Sequence, residues 1–432
     1  MRTIEQQTVA KIWWHVIPLF SGGLFIAHLD RANLGFAALT MLRDLGLSNT
    51  QFGAASGAFA LGYMAFGIPS TLMLHRWGAR RWISLMMVAW GIFSAATAFV
   101  SGPTQLLIAR MGLGAAEAGF APGAVFYISR WFPSEYRGRI LASLFFIIPL
   151  SQIIGGPLSS GLLVSLGGIA GLKGWQWLLL LEALPSVVWA VVMAGALSDS
   201  PAKAGWLSAA QISWLTERLR ADEQQGGATL RPSSVRQAFG SPRVWALAII
   251  SAGLGTSAIG TLIFLPLIIR SMGFSIGATG LVLALPSVVG AVLLPLWGLW
   301  ADRSRSCEFV VAVGCGAMAA GLLVTAVLLP SPWALIPLSA VLAAFFGILP
   351  PFFNLPSGFL SGSGAAAGIG LISVAGNVGQ AVGPYVLGHR SDLDHSYTSG
   401  LAWLAVIAAG ATLISIALIR GRPLKPALSI SG

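Results

Sequence analysis

Apolar residues fall in long blocks along this chain, separated by short polar punctuation. A helix crossing a bilayer needs roughly 20 apolar residues. Twelve blocks reach about that length, near residues 12–37, 51–74, 82–101, 104–129, 140–166, 175–197, 244–269, 276–300, 308–329, 333–359, 364–388 and 400–420. One long polar stretch, 198–243, divides the sixth block from the seventh. It contains Gly226-Gly227, and its segment 208–220 has amphipathic helical spacing through Ile212, Leu215 and Leu219. The pattern predicts an all-α membrane protein of twelve transmembrane helices. A six-helix bundle over 1–197 and another over 244–432 flank a cytoplasmic linker over 198–243.

Composition agrees. The 432 residues are 56% hydrophobic and only 9% charged, with a mean hydropathy of +0.81. Soluble domains carry about 25% charge. The net charge of +11 raises the question of a nucleic-acid partner, and its distribution argues against one. With the N-terminus inside, nineteen of the 25 Lys and Arg fall on one face of the membrane. Arg43, Lys173, Arg270 and Arg390 fall on the other, and Arg31 and Arg110 lie inside apolar blocks. This positive-inside bias predicts a multi-pass protein of the inner (plasma) membrane with both termini cytoplasmic. No cleavable signal is expected, because the first block runs into Asp30-Arg31. The two cysteines, Cys307 and Cys315, share one predicted helix about 12 Å apart, too far for a disulfide. They also lack metal-ligand spacing, so neither metal nor cofactor is expected.

The chain repeats itself. Gly156-Pro157 in the fifth block matches Gly383-Pro384 in the eleventh, and Arg76 matches Arg303, both at an offset of 227. Equal offsets predict two halves built alike.

Four charges lie where a bilayer penalises them most: Asp30, Arg31, Arg110 and Glu117. Each costs roughly 3 kcal/mol or more at membrane depth. Such groups face a bundle interior, pair, or line a path. Two carboxylates with two guanidiniums point to proton-coupled movement of an anion. At the 227 offset the second half has Ser257, Ala258, Pro337 and Ala344, so the titratable groups belong to the first half. Arg110 and Glu117 are seven apart and share a helix face. Arg110 can meet the anion, or pair with Glu117 or Asp30. Asp30 and Arg31 are neighbours and point about 100° apart, so one can meet substrate while the other pairs with the fourth helix. Gln152, Phe353, Asn354, Asn377 and Gln380 offer amides and an aromatic face from apolar helices. The alternative for the amides is interhelical bonding. Pro350-Pro351 and Pro356 predict a broken tenth helix lining a cavity. His28 reads as a structural histidine or part of a proton path, and Glu182 as a packing or topology residue.

The segment His28-Leu29-Asp30-Arg31-Ala32-Asn33-Leu34-Gly35 resembles the first-helix signature of the anion:cation symporters of the major facilitator superfamily. Pro69 through Arg81, Arg110 through Phe120, Gly174-Trp175-Gln176-Trp177, Pro350 through Pro356 and Gly376-Asn377 extend the likeness over nearly the whole chain. It is nearest to tartrate and phthalate permeases, with sugar-acid permeases more distant. The chain departs from the superfamily pattern at Thr71 and His75, and has Phe352-Phe353-Asn354 where Phe-Trp and a small residue are expected. The resemblance implies proton coupling at Asp30 and Glu117 and substrate contact by Arg31 and Tyr63. It also implies that Arg76, Arg80, Asp302 and Arg303 latch the halves at the cytoplasmic face. The expected protein is a monomer in membrane lipid, not an enzyme. It imports a small organic anion with protons by alternating access. Gly155-Gly156-Pro157 resembles a motif of proton-coupled exporters, which makes an antiporter the alternative.

Overall fold

The computed structural model describes residues 3–225, 234–304, 306–356 and 359–420. The first half begins with α1 (Ile4–Leu45), α2 (Asn49–Trp77) and α3 (Ala79–Thr97). Its fourth block is two helices, α4 (Pro103–Glu117) and α5 (Phe120–Trp131), and its fifth is α6 (Ser134–Phe145) and α7 (Ile147–Ser165). α8 (Gly174–Ala196) closes it. The linker contributes α9 (Ala209–Gln225) and α10 (Val235–Phe239). The second half opens with α11 (Pro242–Leu254) and α12 (Gly260–Ser271), joined by a π-helical turn over Gly255–Ile259. It continues with α13 (Ile276–Arg303), α14 (Cys307–Leu328), α15 (Leu335–Asn354), α16 (Gly362–Asp394) and α17 (Thr398–Arg420). Among the described residues ten helical stretches are long and apolar enough to cross a membrane. The other two expected spans fall on α3, which begins beside Arg80-Arg81, and on the divided pair α4–α5.

Helix ends follow local signals. Thr3 forms a capping box with Gln6 and Ser48 another with Gln51. The first box starts α1 eight residues before its apolar block, and Gly46, left-handed at φ 62°, ends it eight residues beyond. Pro350-Pro351 does not break the tenth span as expected. α15 runs through both prolines and ends at Asn354.

The helix pairings recur between halves. α2 packs on α4 as α13 packs on α15, α3 on α8 as α14 on α17, and α1 on α7 as α11 on α16. The halves meet along α2–α16 and α7–α13. Both seams depend on glycine. A Cβ on Gly156 would stand 2.6 Å from the Gly280 carbonyl, and one on Gly53 would run into the Pro384 carbonyl. Gly53 and Gly280 are themselves 227 apart, so each half closes on the Gly-Pro segment of the other.

At one end of the bundle the halves are tied. Asp392 of α16 accepts hydrogen bonds from the Asn49 amide at 3.0 Å, the Thr50 amide at 2.7 Å and the Thr50 hydroxyl at 2.6 Å. The carboxylate thus sits on the positive end of α2. At the opposite end Arg80 bonds within its own half, through Nε to the Ala194 carbonyl at 2.5 Å and through its amide to Asp199 at 3.2 Å. Arg76 and Arg303 are exposed there, and the Asp302 side chain lies outside the described residues. Among the described residues no ion pair joins the two halves. The linker is docked on the first half. Asp222 accepts from the Ser134 amide at 2.7 Å, and Trp206 stacks on His15 at 4.2 Å and on Trp131 at 5.4 Å.

The seam at Asp392 predicts a shift in conformation. Asp392→Ala removes charge-assisted bonds together worth about 1–2 kcal/mol net, roughly a tenfold change in the balance between closed and open at that end. Maleimide labelling of a cysteine placed at Ser391, which is 4% exposed and lines the neighbouring cavity, should speed up accordingly. Unchanged labelling would show that the glycine seams alone hold this end shut.

Candidate functional site

Close packing of α4 on α2 builds the charged centre. A Cβ at Gly62 would overlap the Met111 carbonyl, and one at Gly114 the Phe59 carbonyl. The two backbones therefore approach closely, as small residues allow in membranes. Arg110 and Glu117, both buried, are carried to the level of Phe59 and Tyr63.

Arg31 and Glu117 form the ion pair. Nη2 of Arg31 lies 2.5 Å from Glu117 Oε1, and the carboxylate is almost wholly buried. The Arg31 guanidinium also stands over the rings of Phe59 at 5.0 Å and Tyr63 at 5.5 Å. Tyr63 thus supports Arg31 and is not among the residues lining the cavity described below. The second oxygen of Glu117 is buried without a hydrogen-bond partner.

Asp30 is held differently. Trp90 Nε1 donates to it at 2.6 Å and Asn33 Nδ2 at 2.8 Å, and the Ser94 hydroxyl also donates. Trp90 and Ser94 come from one face of α3. Three donors satisfy most of a carboxylate's capacity. Asp30 is therefore held behind the wall of the cavity and does not line it.

Arg110 is the odd member. It is 4% exposed, yet among the described residues no carboxylate lies within 4.0 Å of it. Its guanidinium stands over the Phe59 ring at 5.2 Å, and its Nε has no partner. It faces a cavity of about 310 Å³ between the halves. The first half lines this cavity with His28, Arg31, Ser56, Phe59, Arg110 and Gln152. The second half supplies Ile259 from its π turn, Pro266, Leu283, Phe345, Phe346, Phe353 and Gln380. The first-half wall carries both cations, and the second-half wall is apolar except for Gln380. His28 Nδ1 is bonded to the Leu24 carbonyl at 2.8 Å. Gln380 donates to Asn377, which stands one turn away at 3.3 Å outside the lining. Asn354 is exposed at the end of α15, also outside the lining. Among the described residues no group of His, Cys, Asp or Glu has the arrangement of a metal site.

A model of the major facilitator superfamily matches residues 20–384. The chain belongs to that superfamily. An Agrobacterium vitis protein named as a tartrate transporter is 39% identical over 97% of this chain and 93% of its own length. A quinolone resistance transporter of Acinetobacter baumannii is 34% identical over 93% of each chain. The crystal structure of a D-xylose–proton symporter superposes with a TM-score of 0.75 at 16% identity, over 93% of this chain and 97% of that one, which shows the shared fold. The facilitator fold of the chain, its multi-pass membrane character and its role as a transporter rather than an enzyme follow.

Sequence reasoning found the four charges but missed Trp90 and Ser94. Their signal is a polar pair four apart in an apolar helix.

The packing that builds this facilitator's charged centre can be tested directly. Gly114→Val forces α4 off α2 at a cost of about 1–3 kcal/mol and should lower the melting temperature of the detergent-purified protein. Gly67→Val, on the same α2 but with nothing within 4 Å, should leave it unchanged. Equal melting for both variants would mean that the close approach does not hold the site.

Proposed function

We propose that this transporter imports a small organic anion together with protons, and that Arg110 and Arg31 bind the anion. The carrying observation is the buried guanidinium of Arg110, which faces the cavity with no carboxylate within 4.0 Å of it among the described residues. A buried cation without a partner is costly, and an anionic ligand relieves that cost. Arginine suits a carboxylate because its planar fork makes two parallel hydrogen bonds.

The Arg31–Glu117 pair supports coupling. While Glu117 is ionised it occupies Arg31. A substrate carboxylate competes for the same guanidinium. A proton on Glu117 cancels the attraction and releases Arg31 to the substrate. Anion and proton therefore bind cooperatively, each favouring the other by the same free energy. That is the thermodynamic requirement of symport. Asp30, solvated by three donors, is the second proton-carrying group. Tyr63 and Phe59 steer Arg31, and Gln152, Gln380, Asn377, Asn354 and Phe353 shape selectivity. The apolar second wall favours compact carboxylates, such as aromatic acids or short hydroxy acids, over polyhydroxylated sugar acids.

In the proposed topology both termini are cytoplasmic and the tied Asn49–Asp392 end faces outward. The protein then rests open to the cytoplasm. Arg76, Arg80, Asp302 and Arg303 meet across the halves when that end closes. The protein works as a monomer in the inner membrane. The two bundles over 1–197 and 244–432 rock about the cavity, and the linker over 198–243 stays with the first.

Uptake into proteoliposomes, with and without an inward proton gradient, tests this reading. The acids are tartrate, sugar acids, phthalate and hydroxyphenylacetate. Gradient-driven uptake should vanish in Glu117→Gln while counterflow of the same acid persists. Arg110→Gln should weaken apparent affinity by about 10- to 100-fold, as expected for a lost charge-assisted bidentate contact. Proton-driven efflux of a quinolone, without acid uptake, would replace the symporter with an exporter.

A further inference from the structure

Glu182 of α8 is a buried carboxyl that the coupling scheme does not use. It is 2% exposed. Its Oε1 accepts from the Ser159 hydroxyl of α7 at 2.7 Å. Its Oε2 is buried with no partner. α8 packs against α1, α3 and α7. Of these, α1 brings Asp30 to Glu182's surroundings, α7 brings no titratable group, and Arg80 and Arg81 lie at the far end of α3. Among the described residues no cation lies within 4.0 Å of it. An ionised carboxylate in such a place lacks a counter-charge, and one of its two oxygens lacks a donor, which costs several kcal/mol.

Asn33 joins Glu182 to the coupling group. Its Nδ2 donates to Asp30 at 2.8 Å, and the same amide lies near Glu182 across the α1–α8 contact. Its Oδ1 is a second buried acceptor without a partner. Two orphan acceptors on adjoining helices are reconciled by one added proton. A proton on Glu182 Oε2 turns that atom into a donor, and Asn33 Oδ1 is a vacant acceptor on the adjoining helix α1. The amide is then fixed with Nδ2 toward Asp30.

We propose that Glu182 is a positioning residue held as the neutral acid, which orients Asn33 and thereby sets the hydrogen bonding of Asp30. Ser159 is followed directly by Ser160, whose hydroxyl lies 3.4 Å from the Gly277 carbonyl across the α7–α13 seam. The neutral carboxyl thus rests on a helix that borders the moving interface.

Two readouts test this. The first is infrared spectroscopy of the purified protein at neutral pH and does not depend on transport. The wild type should show a protonated-carboxyl C=O band that Glu182→Gln removes. Ser159→Ala should displace that band to higher frequency, and serves alone if Glu182→Gln does not fold. The absence of any such band change in both variants overturns the proposal. The second readout rests on the symport reading. Glu182→Gln, neutral and nearly isosteric, should keep the wild-type pH profile of gradient-driven uptake. Glu182→Leu should move its midpoint by about one pH unit, with KM for the acid unchanged. Loss of gradient-driven uptake in Glu182→Gln would overturn the proposal by making Glu182 a carrier of the transported proton. Loss of uptake for every acid in the wild type, with the infrared band intact, would instead fail the symport reading alone.

Discussion

The buried contact between Arg31 and Glu117 is the constraint around which the site is built. Glu117 is 3% exposed and Arg31 35%, so desolvation falls mainly on the carboxylate, and removing Arg31 leaves that buried charge stranded at several kcal/mol. The chain tolerates this because the pair is held by a rigid surround. Phe59 and Tyr63 lie beneath Arg31, and α4 is drawn against α2 by Gly62 and Gly114. Arg110 is buried more deeply, at 4% exposure against 35% for the Arg31 side chain, and has no carboxylate within 4.0 Å among the described residues. The first half therefore holds one cation paired with a carboxylate and one without such a pair at the wall of one cavity. That imbalance is what the proposed anion site rests on.

The second half answers in different chemistry. Where the first half has Asp30 and Arg31, the repeat places Ser257 and Ala258 within a π-helical turn. Ser257 is used structurally, donating to the Leu404 carbonyl at 2.9 Å. The turn projects Ile259 into the cavity. π turns inside α-helices are frequent at functional positions. Equal architecture carries unequal chemistry: in the proposed function one half binds the charge, and the other provides a mostly apolar surface to close on it. The reciprocal glycine seams at Gly53–Pro384 and Gly156–Gly280 let the halves approach without side-chain bulk.

Much of this was legible from the chain. A bilayer makes buried charge so expensive that Asp30, Arg31, Arg110 and Glu117 stand out without coordinates. The spacing of apolar blocks and the 227-residue offset gave the architecture, and the seams repeat that offset. Pairing was not legible, because it depends on interhelical distance. Spacing on α4 allowed Arg110 to pair with Glu117, but the structure pairs Glu117 with Arg31. The donors to Asp30 were hidden for the same reason. Trp90 and Ser94 are common residues in membrane helices, and only packing of α3 on the bundle aims them at α1. Breaks at Ala118-Gly119, at Phe146 and at the π turn were invisible because apolar composition continues through them. The double proline misled in the other direction, since α15 continues through it.

The central claim is that Glu117 and the substrate carboxylate compete for Arg31. The most direct measurement is proton uptake on binding. The purified transporter in weakly buffered detergent solution is mixed with tartrate, or with the acid taken up best in the panel, while a pH indicator is followed. The account predicts that binding takes up about one proton per transporter in the wild type, as the displaced carboxylate protonates, and none at this site in Glu117→Gln. Binding with no proton taken up, or with protons released, would contradict it.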